Sequence, residues 1–310
     1  GFRYSSICGA MRHEPVEDAD VIMDPHVGGG CSCHARQASG RPQRCTFVSR
    51  DGSARGLCRH GVDHAPPPAA WAQEHVSETV HNLSVSGPGG IRASSERQVC
   101  IFCHAPHNTG GMRPLWNRQM PASNYRIYRS STLDARPGQP TGSSKLCLSC
   151  HDGTIALGSV LSRADRIQMR TEDFIPAGLT NLGTDLSDDH PVSFFYTSGI
   201  ANTDRQLVDP HAIPDQTRLD PSGQLQCTSC HDAHHNLYGN FLVLPEQFGE
   251  LCLACHKMDG WEQGAHQHSS TSVAATNTVD WPFDSVAANA CRSCHRSHTA
   301  GGHERLLLHE

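Results

Sequence analysis

The chain contains five copies of one short pattern, in which two cysteines are separated by two residues and followed at once by a histidine. In chain order, motifs 1 to 5 are Cys100-Ile-Phe-Cys103-His104, Cys147-Leu-Ser-Cys150-His151, Cys227-Thr-Ser-Cys230-His231, Cys252-Leu-Ala-Cys255-His256 and Cys291-Arg-Ser-Cys294-His295. A single copy of this pattern is a weak signal. Five copies with histidine at the same offset are a strong one.

The spacing of the motifs suits the covalent attachment of c-type haem. Two cysteine sulfurs on one turn of helix reach the two vinyl groups of a haem, and the next residue turns its imidazole to the iron as proximal ligand. Zinc sites and a disulfide scaffold are the other uses of paired cysteines. Neither explains why a histidine follows every pair, and zinc sites of two pairs each would leave one pair over. The motifs therefore predict five covalently bound haem c groups.

Composition indicates that side chains alone do not fill the interior. Leu, Ile, Val and Phe together make up less than a fifth of the 310 residues, and the net charge is only −6. A chain this poor in apolar residues would be expected to be disordered if its net charge were high. The charge here is modest, so we expect a group other than side chains to fill the interior. We therefore predict a haem-cored fold with little regular secondary structure, mostly coil with short α-helices and a few short strands. We also expect the haem-free chain to be largely unfolded.

Two classes of partner are disfavoured by the same numbers. The negative net charge argues against a protein that follows nucleic-acid phosphates. No apolar run approaches the roughly 18 residues that a membrane helix needs. The sequence thus predicts neither nucleic-acid binding nor a membrane span.

The second axial ligands must come from the other histidines, since the chain has 22 histidines but only six methionines. Motifs 1, 3 and 5 continue with a histidine three residues after the proximal one, and we call these His107, His234 and His298 the doublet histidines. A doublet histidine cannot reach the far face of its own haem, but it can reach the iron of a neighbouring one. The other readings are a surface histidine or a hydrogen-bond partner of a haem propionate. Candidates outside the motifs are His81, His190 and His266.

Several segments together resemble the multihaem c-type cytochromes with doubled motifs, and in particular the tetrahaem members that polymerise into extracellular cytochrome filaments. In order they are Val99-Cys-Ile-Phe-Cys-His-Ala-Pro-His-Asn108, Pro114-Leu-Trp-Asn-Arg118, Leu146-Cys-Leu-Ser-Cys-His-Asp-Gly-Thr154, Asp189-His-Pro-Val-Ser-Phe194 and Gln226-Cys-Thr-Ser-Cys-His-Asp-Ala-His234. The resemblance covers roughly residues 81–257. It implies stacked and T-shaped haem pairs, and an axial histidine supplied by the adjacent subunit in polymerising members. It also implies that the distal ligands are His81, His107, His190 and His234.

Motif 5 lies beyond the resemblance, after a spacer that contains Trp261 and Trp281. We favour His298 as the distal ligand of its haem, with His266 as the alternative. With these two histidines there are six candidate distal ligands for five irons. Either one candidate binds no iron, or the histidines pair with the haems differently from this expectation.

Electron transfer is the function that these features favour. Closely packed bis-histidine haems would pass electrons between them, with the chain as a subunit of an extracellular filament or, alternatively, as a periplasmic shuttle. The rival is a multihaem reductase with one open-site haem, which nothing in the ligand count demands. We therefore predict no catalytic residues, and as partners further copies of the chain and redox proteins at the cell surface. Thioether formation occurs outside the cytoplasmic membrane, so we expect export to the cell surface or beyond, or alternatively to the periplasm.

The first 72 residues differ from the rest and hold five cysteines outside the motifs. No helical or alternating apolar period is visible there. Cys31-Ser-Cys33-His34 has one residue too few between its sulfurs for haem attachment. Residues 1–72 are expected to be a leader that ends near Gln73 or a disulfide-linked cap, and residues 73–310 a pentahaem domain. The five cysteines are Cys8, Cys31, Cys33, Cys45 and Cys58.

Overall fold

The structure, a computed structural model, describes residues 75–107, 115–273 and 282–308. The expectations for residues 1–72 and their five cysteines lie outside these ranges. Within them, regular structure is sparse. The α-helices are α1 (Gly142–His151), α2 (Ser198–Asp204), α3 (Glu250–Leu253), α4 (Ala265–His268) and α5 (Val286–Asn289). The strands are β1 (Arg126–Ile127), β2 (Asp185–Leu186), β3 (Phe194–Phe195) and β4 (Gln224–Leu225).

Single turns of 3-10 helix supply most of the remaining order, and three of them carry motifs. Motif 1 begins in Cys100–Phe102, motif 3 in Cys227–Ser229 and motif 5 in Ala290–Ser293. Motif 2 lies within α1, and motif 4 begins in α3. The other 3-10 turns are Val76–Glu78, Asp215–Thr217, Gln247–Gly249, Trp261–Gln263 and Glu304–Leu306.

The motifs share one backbone turn. In motifs 1, 3, 4 and 5 the amide of the histidine donates to the carbonyl of the first cysteine at 2.8–2.9 Å. This is the bond of one α-helical turn. It holds both sulfurs and the imidazole on a single turn of chain, as the attachment of one haem requires.

The two sheets are small and join segments far apart in sequence. Strand β1 pairs in parallel with β2, and β3 pairs antiparallel with β4. Each sheet has two strands of two residues. Neither can bury a large apolar face, so the sheets fix connections rather than build a layer.

The buried apolar side chains of the described residues form four small clusters instead of one core. A mostly coil chain with short helices and small sheets confirms the predicted fold class. Because the clusters are small and separate, the apolar side chains alone provide little continuous interior. The clusters are Ala93, Ile101, Phe102, Val160 and Ile167; Ala135, Phe194, Tyr196 and Leu225; Tyr125, Leu148 and Leu186; and Tyr128, Ala300 and Leu306.

Buried polar side chains hold neighbouring motifs together. Asn117 donates to the Ile101 carbonyl of motif 1 at 2.6 Å. Arg118 donates to the Ser149 carbonyl of motif 2 at 3.0 Å and to the Leu157 carbonyl at 2.7 Å. Both side chains are almost fully buried. This Asn-Arg pair therefore fixes motif 2 against motif 1.

Gln226 makes the equivalent connection between motifs 2 and 3. Its side-chain oxygen accepts from Ser144 at 2.6 Å and from Ser193 at 3.0 Å. Ser144 lies in α1 with motif 2, and its hydroxyl also accepts from the Cys227 amide at 3.0 Å. The side chain of Gln226 is fully buried, so these bonds are shielded from water.

No helix in the described part of the chain is both long and apolar enough to cross a membrane.

Candidate haem-binding site

Three of the five motif histidines are oriented by backbone carbonyls. The ring Nδ1 lies 2.7 Å from the Thr180 oxygen in His151, 2.8 Å from the Asn240 oxygen in His231 and 2.9 Å from the Arg305 oxygen in His295. A carbonyl can only accept, so Nδ1 carries the proton and Nε2 keeps its lone pair. Nε2 is then the nitrogen free to bind iron.

In motifs 1, 3 and 5 a returning segment closes the site on the proximal side. The histidine forms an isolated antiparallel bridge with a residue of that segment, and the residue before the bridge has a φ of 55–60°. Residues other than glycine seldom adopt this left-handed conformation. In motifs 3 and 5 the next residue upstream supplies the carbonyl that Nδ1 meets. The bridges are His104–Trp116, His231–Leu242 and His295–Leu307, and the left-handed residues are Leu115, Phe241 and Leu306.

Four of the five proximal histidines face a second histidine across a gap. The distances between ring centroids are 6.1 Å for His104–His234, 6.1 Å for His151–His81, 6.1 Å for His231–His298 and 6.4 Å for His256–His190. A metal–nitrogen bond of about 2.0 Å and about 1.15 Å from nitrogen to ring centre separate the centroids of two trans imidazoles by about 6.3 Å. The gaps therefore fit one iron between each pair of rings.

Three of the four histidines that face a motif histidine are also held through Nδ1. His81 meets the Ala233 carbonyl at 3.1 Å and His190 the Pro191 carbonyl at 3.0 Å. His298 instead meets a carboxylate oxygen of Asp189 at 3.1 Å. These contacts occupy Nδ1 and leave Nε2 of each ring with its lone pair, an outer-sphere arrangement typical of metal-binding histidines.

Burial keeps most of these imidazoles neutral. It lowers the pKa of His190 and of His231 to about 4, and it also lowers the pKa of His81, His151 and His256. Neutral imidazole is the form that binds metal, so the rings need no deprotonation at pH 7. His298 differs: burial opposes its charged form, but the hydrogen bond and charge of Asp189 raise its pKa overall.

The cysteines bring consecutive motifs into contact. The thiols of Cys147 and Cys227 hydrogen-bond, as do those of Cys252 and Cys291. Cys103 lies within electrostatic range of Cys150, and Cys230 within range of Cys255. The five motifs thus follow one another in space in the order in which they occur in the sequence.

Three predicted ligands remain outside the ring pairs. His107 and His295 are exposed, and no other histidine ring of the described residues lies opposite either one. His266 is exposed in α4 and belongs to no ring pair within the described ranges. The sequence favoured His298 for motif 5, but its ring lies against His231 of motif 3. The chain turns His298 back toward an earlier motif because the Ala300 amide donates to the Asp188 carbonyl at 2.9 Å.

The sequence alone did not reveal which groups accept hydrogen bonds from Nδ1 of these histidines. Asp189 stood beside the candidate His190, but its hydrogen-bond partner His298 is 109 residues away. The carbonyls of Thr180 and Ala233 carry no side-chain signal at all. Only a returning segment after each doublet could have been anticipated. A converging set of three or more Cys, His, Asp or Glu groups, as a zinc site would need, is absent from the described residues.

Comparison with known proteins identifies one part of this arrangement. A family model described as the doubled CXXCH motif matches residues 220–260, which contain motifs 3 and 4. No curated protein matches the chain significantly. The doubled motif indicates covalently bound haem c and a multihaem c-type cytochrome that transfers electrons.

Proposed function

We propose that this chain is a pentahaem electron-transfer protein whose copies join end to end through a shared axial histidine. The ten motif cysteines would form the thioethers, and His104, His151, His231, His256 and His295 would be the proximal ligands. His234, His81, His298 and His190 would be the distal ligands of the first four haems, in that order. When bound, each haem supplies one-electron chemistry between ferric and ferrous iron.

The observation that carries the proposal is the set of four ring pairs at 6.1–6.4 Å. Two imidazoles on one iron leave no position for a substrate, so such centres carry electrons rather than bind reactants. Bis-histidine ligation also lacks the methionine that raises haem potentials. These four sites therefore support a low-potential carrier.

The order of the motifs supports conduction along the array. A thiol of each motif hydrogen-bonds a thiol of the next or lies within electrostatic range of it, from Cys103–Cys150 through to Cys252–Cys291. Each haem would be attached through these sulfurs, so successive macrocycles would lie close together. Electrons could then hop from the haem of motif 1 to that of motif 5 without leaving the protein.

The doublet histidines support the joining of copies. His234 of motif 3 faces motif 1, and His298 of motif 5 faces motif 3. Each serves a motif earlier in the chain, whereas the described residues contain no motif before motif 1, to which His107 belongs. His295 of motif 5 needs a distal partner, and both residues are exposed. We infer that His107 of one copy binds the motif 5 iron of another.

Location follows from the chemistry of attachment. The c-type cytochromes are generally exported, because their thioethers form outside the cytoplasmic membrane. An end-to-end polymer would act beyond the cell surface, conducting electrons to acceptors there. A chain that remained monomeric would instead serve as a periplasmic shuttle.

One observation favours a second function. If no partner copy binds at motif 5, the exposed His295 site would leave one iron open to a small oxidised substrate such as nitrite or hydroxylamine. Such a protein would be a reductase fed by four carrier haems. This alternative predicts a high-spin haem in every assembly state, whereas the filament predicts its disappearance on polymerisation.

The test compares His107→Ala with His211→Ala, a control that removes an exposed histidine outside the motifs. We expect the unaltered protein and the control to form thin fibres with only low-spin haem by resonance Raman. His107→Ala should remain monomeric and show one high-spin haem in five. Fibres from His107→Ala, or a monomeric unaltered protein that reduces nitrite at a high-spin haem, would contradict the filament proposal.

A further inference from the structure

We propose that Asp189 is a positioning residue that gives the motif 3 centre the lowest reduction potential of the four paired centres. The inference rests on the proposed ligation of that iron by His231 and His298. It places the haem with the lowest reduction potential of the four paired centres in the middle of the array.

The surroundings of Asp189 keep its charge directed at His298. The side chain is only 4% exposed. Oδ1 accepts from His298 Nδ1 at 3.1 Å and from the Thr299 amide at 3.2 Å. Oδ2 is buried and has no hydrogen-bond partner. In the described part of the chain, no Lys or Arg forms an ion pair with this carboxylate.

The other oriented ligands meet neutral acceptors. Nδ1 of His81, His151, His190 and His231 lies against a backbone carbonyl. The nearest comparable case is His234, whose Nδ1 is 3.7 Å from Asp232, beyond hydrogen-bond distance and on the exposed surface. His298 alone among the four distal rings thus donates to a buried carboxylate.

A carboxylate acceptor changes the iron through the ring. It draws the Nδ1 proton toward itself and makes the imidazole a stronger electron donor at Nε2. A stronger donor stabilises ferric iron more than ferrous iron, which lowers the potential of the couple. The reaction is the gain of one electron by Fe(III) to give Fe(II). No bond forms or breaks, and the proton remains on Nδ1.

Because motif 3 lies in the middle of the array, its low reduction potential affects how electrons pass from one end to the other. The thiol of Cys227 in motif 3 hydrogen-bonds that of Cys147 in motif 2, and the thiol of Cys230 lies within electrostatic range of Cys255 in motif 4. A low-potential centre there is the last of the paired centres to be reduced. Electrons would then rest on motifs 1 and 2 or on motifs 4 and 5, and each passage between the two groups would go uphill through the middle.

The first experiment is a redox titration of Asp189→Asn with dithionite and mediators, followed by absorbance and by electron paramagnetic resonance. Asparagine keeps the shape and an acceptor oxygen but removes the charge. We expect one of the five components to rise by about 59 mV, a tenfold change in its ferric-to-ferrous ratio. Asp188→Asn removes the same charge one residue away, where no hydrogen bond or ion pair joins the side chain to a histidine of the described residues, and should leave that component in place. Equal titrations of the two variants would overturn the proposal.

A second measurement needs no variant at Asp189. The rings of the motif 1 and motif 3 pairs are nearly parallel, at 25° and 35°, so both centres give the same class of low-spin signal. As the protein is reduced, we expect this signal to disappear in two steps. The half that comes from the motif 3 haem should disappear last. A single step would count against Asp189. Failure of His298→Ala to create a high-spin haem would instead refute the ligation on which the inference rests.

Discussion

The same doublet of histidines occurs inside the motif array and at its end, but the second histidine has different surroundings in the two places. His234 follows motif 3 as His107 follows motif 1, three residues after the proximal histidine. The ring of His234 lies 6.1 Å from that of His104, whereas His107 is exposed and faces no described histidine. The doublet spacing therefore presents a histidine outward from its own site. Whether this histidine faces another histidine ring depends on whether an earlier motif lies beside it.

The proximal side is the same inside and at the end. His231 and His295 both bridge a returning segment, and both meet its carbonyl, at 2.8 Å and 2.9 Å. Only His231 has a second ring opposite it. Motif 5 is thus locally as complete as motif 3. The difference between the regions lies on the distal side, where a second copy could supply the ring that the described residues do not.

The largest expected effect comes from removing a haem from the middle of the array instead of the end. We expect Cys227→Ala/Cys230→Ala to give no stable holoprotein, because motif 3 is hydrogen-bonded to motif 2 and lies within electrostatic range of motif 4. Cys100→Ala/Cys103→Ala removes the end motif and should leave a protease-resistant chain with four haems. Trypsin resistance and haem content per chain measure the difference. Equal behaviour of the two variants would remove the distinction between the middle and the end.

The next effect is the loss of one ligand inside the array. In the monomer, His234→Ala should convert the motif 1 haem from low-spin to high-spin, since His104 loses the ring opposite it. His107→Ala should leave the monomer spectrum unchanged. Resonance Raman spin-state bands give the reading. If both variants change the monomer alike, then His107 is also bound within its own chain.

How far the sequence predicts this molecule depends on the range of the interaction. The five motifs, the mostly coil fold and its short helices follow from local pattern, because one turn of chain determines them. The choice of His298 for motif 5 followed from proximity in sequence. The structure turns this residue to His231 through the contacts of residues 299 and 300 with Asp189 and Asp188. Contacts across more than 100 residues leave no periodic trace.

The polar connections were hidden for the same reason. Asn117, Arg118 and Gln226 appear in the sequence as ordinary polar residues, yet they are among the most buried side chains. Each is buried because the backbone carbonyls and hydroxyls of a distant motif satisfy it. A pattern of apolar residues cannot reveal a core that is partly polar.

A smaller effect is expected from loosening the inside of the array without removing a haem. Gln226→Ala leaves the hydroxyls of Ser144 and Ser193 without their acceptor, which should lower the free energy of unfolding by about 1–3 kcal/mol. The exposed Gln263→Ala is the control, with a change of less than about 0.5 kcal/mol. Chemical denaturation of the holoproteins followed at the haem absorbance measures both. Equal stability would mean that Gln226 does not hold motifs 2 and 3 together.

The smallest effect is spectroscopic and requires no substitution. The angles between paired rings alternate along the motifs: 25° at motif 1, 74° at motif 2, 35° at motif 3 and 82° at motif 4. Near-parallel ligand planes give rhombic low-spin signals, and near-perpendicular planes give highly anisotropic ones. Electron paramagnetic resonance of the oxidised protein should show two haems of each class. A single class would contradict the ring geometry.

Haem content tests the account most directly, because iron porphyrins are assigned both the interior and the working groups of this chain. The decisive measurement is a pyridine haemochrome assay on the purified protein, combined with the intact mass of the same sample. We expect five covalently bound haems per polypeptide, one for each of the five motifs. A folded chain that carried far fewer than five would contradict the account.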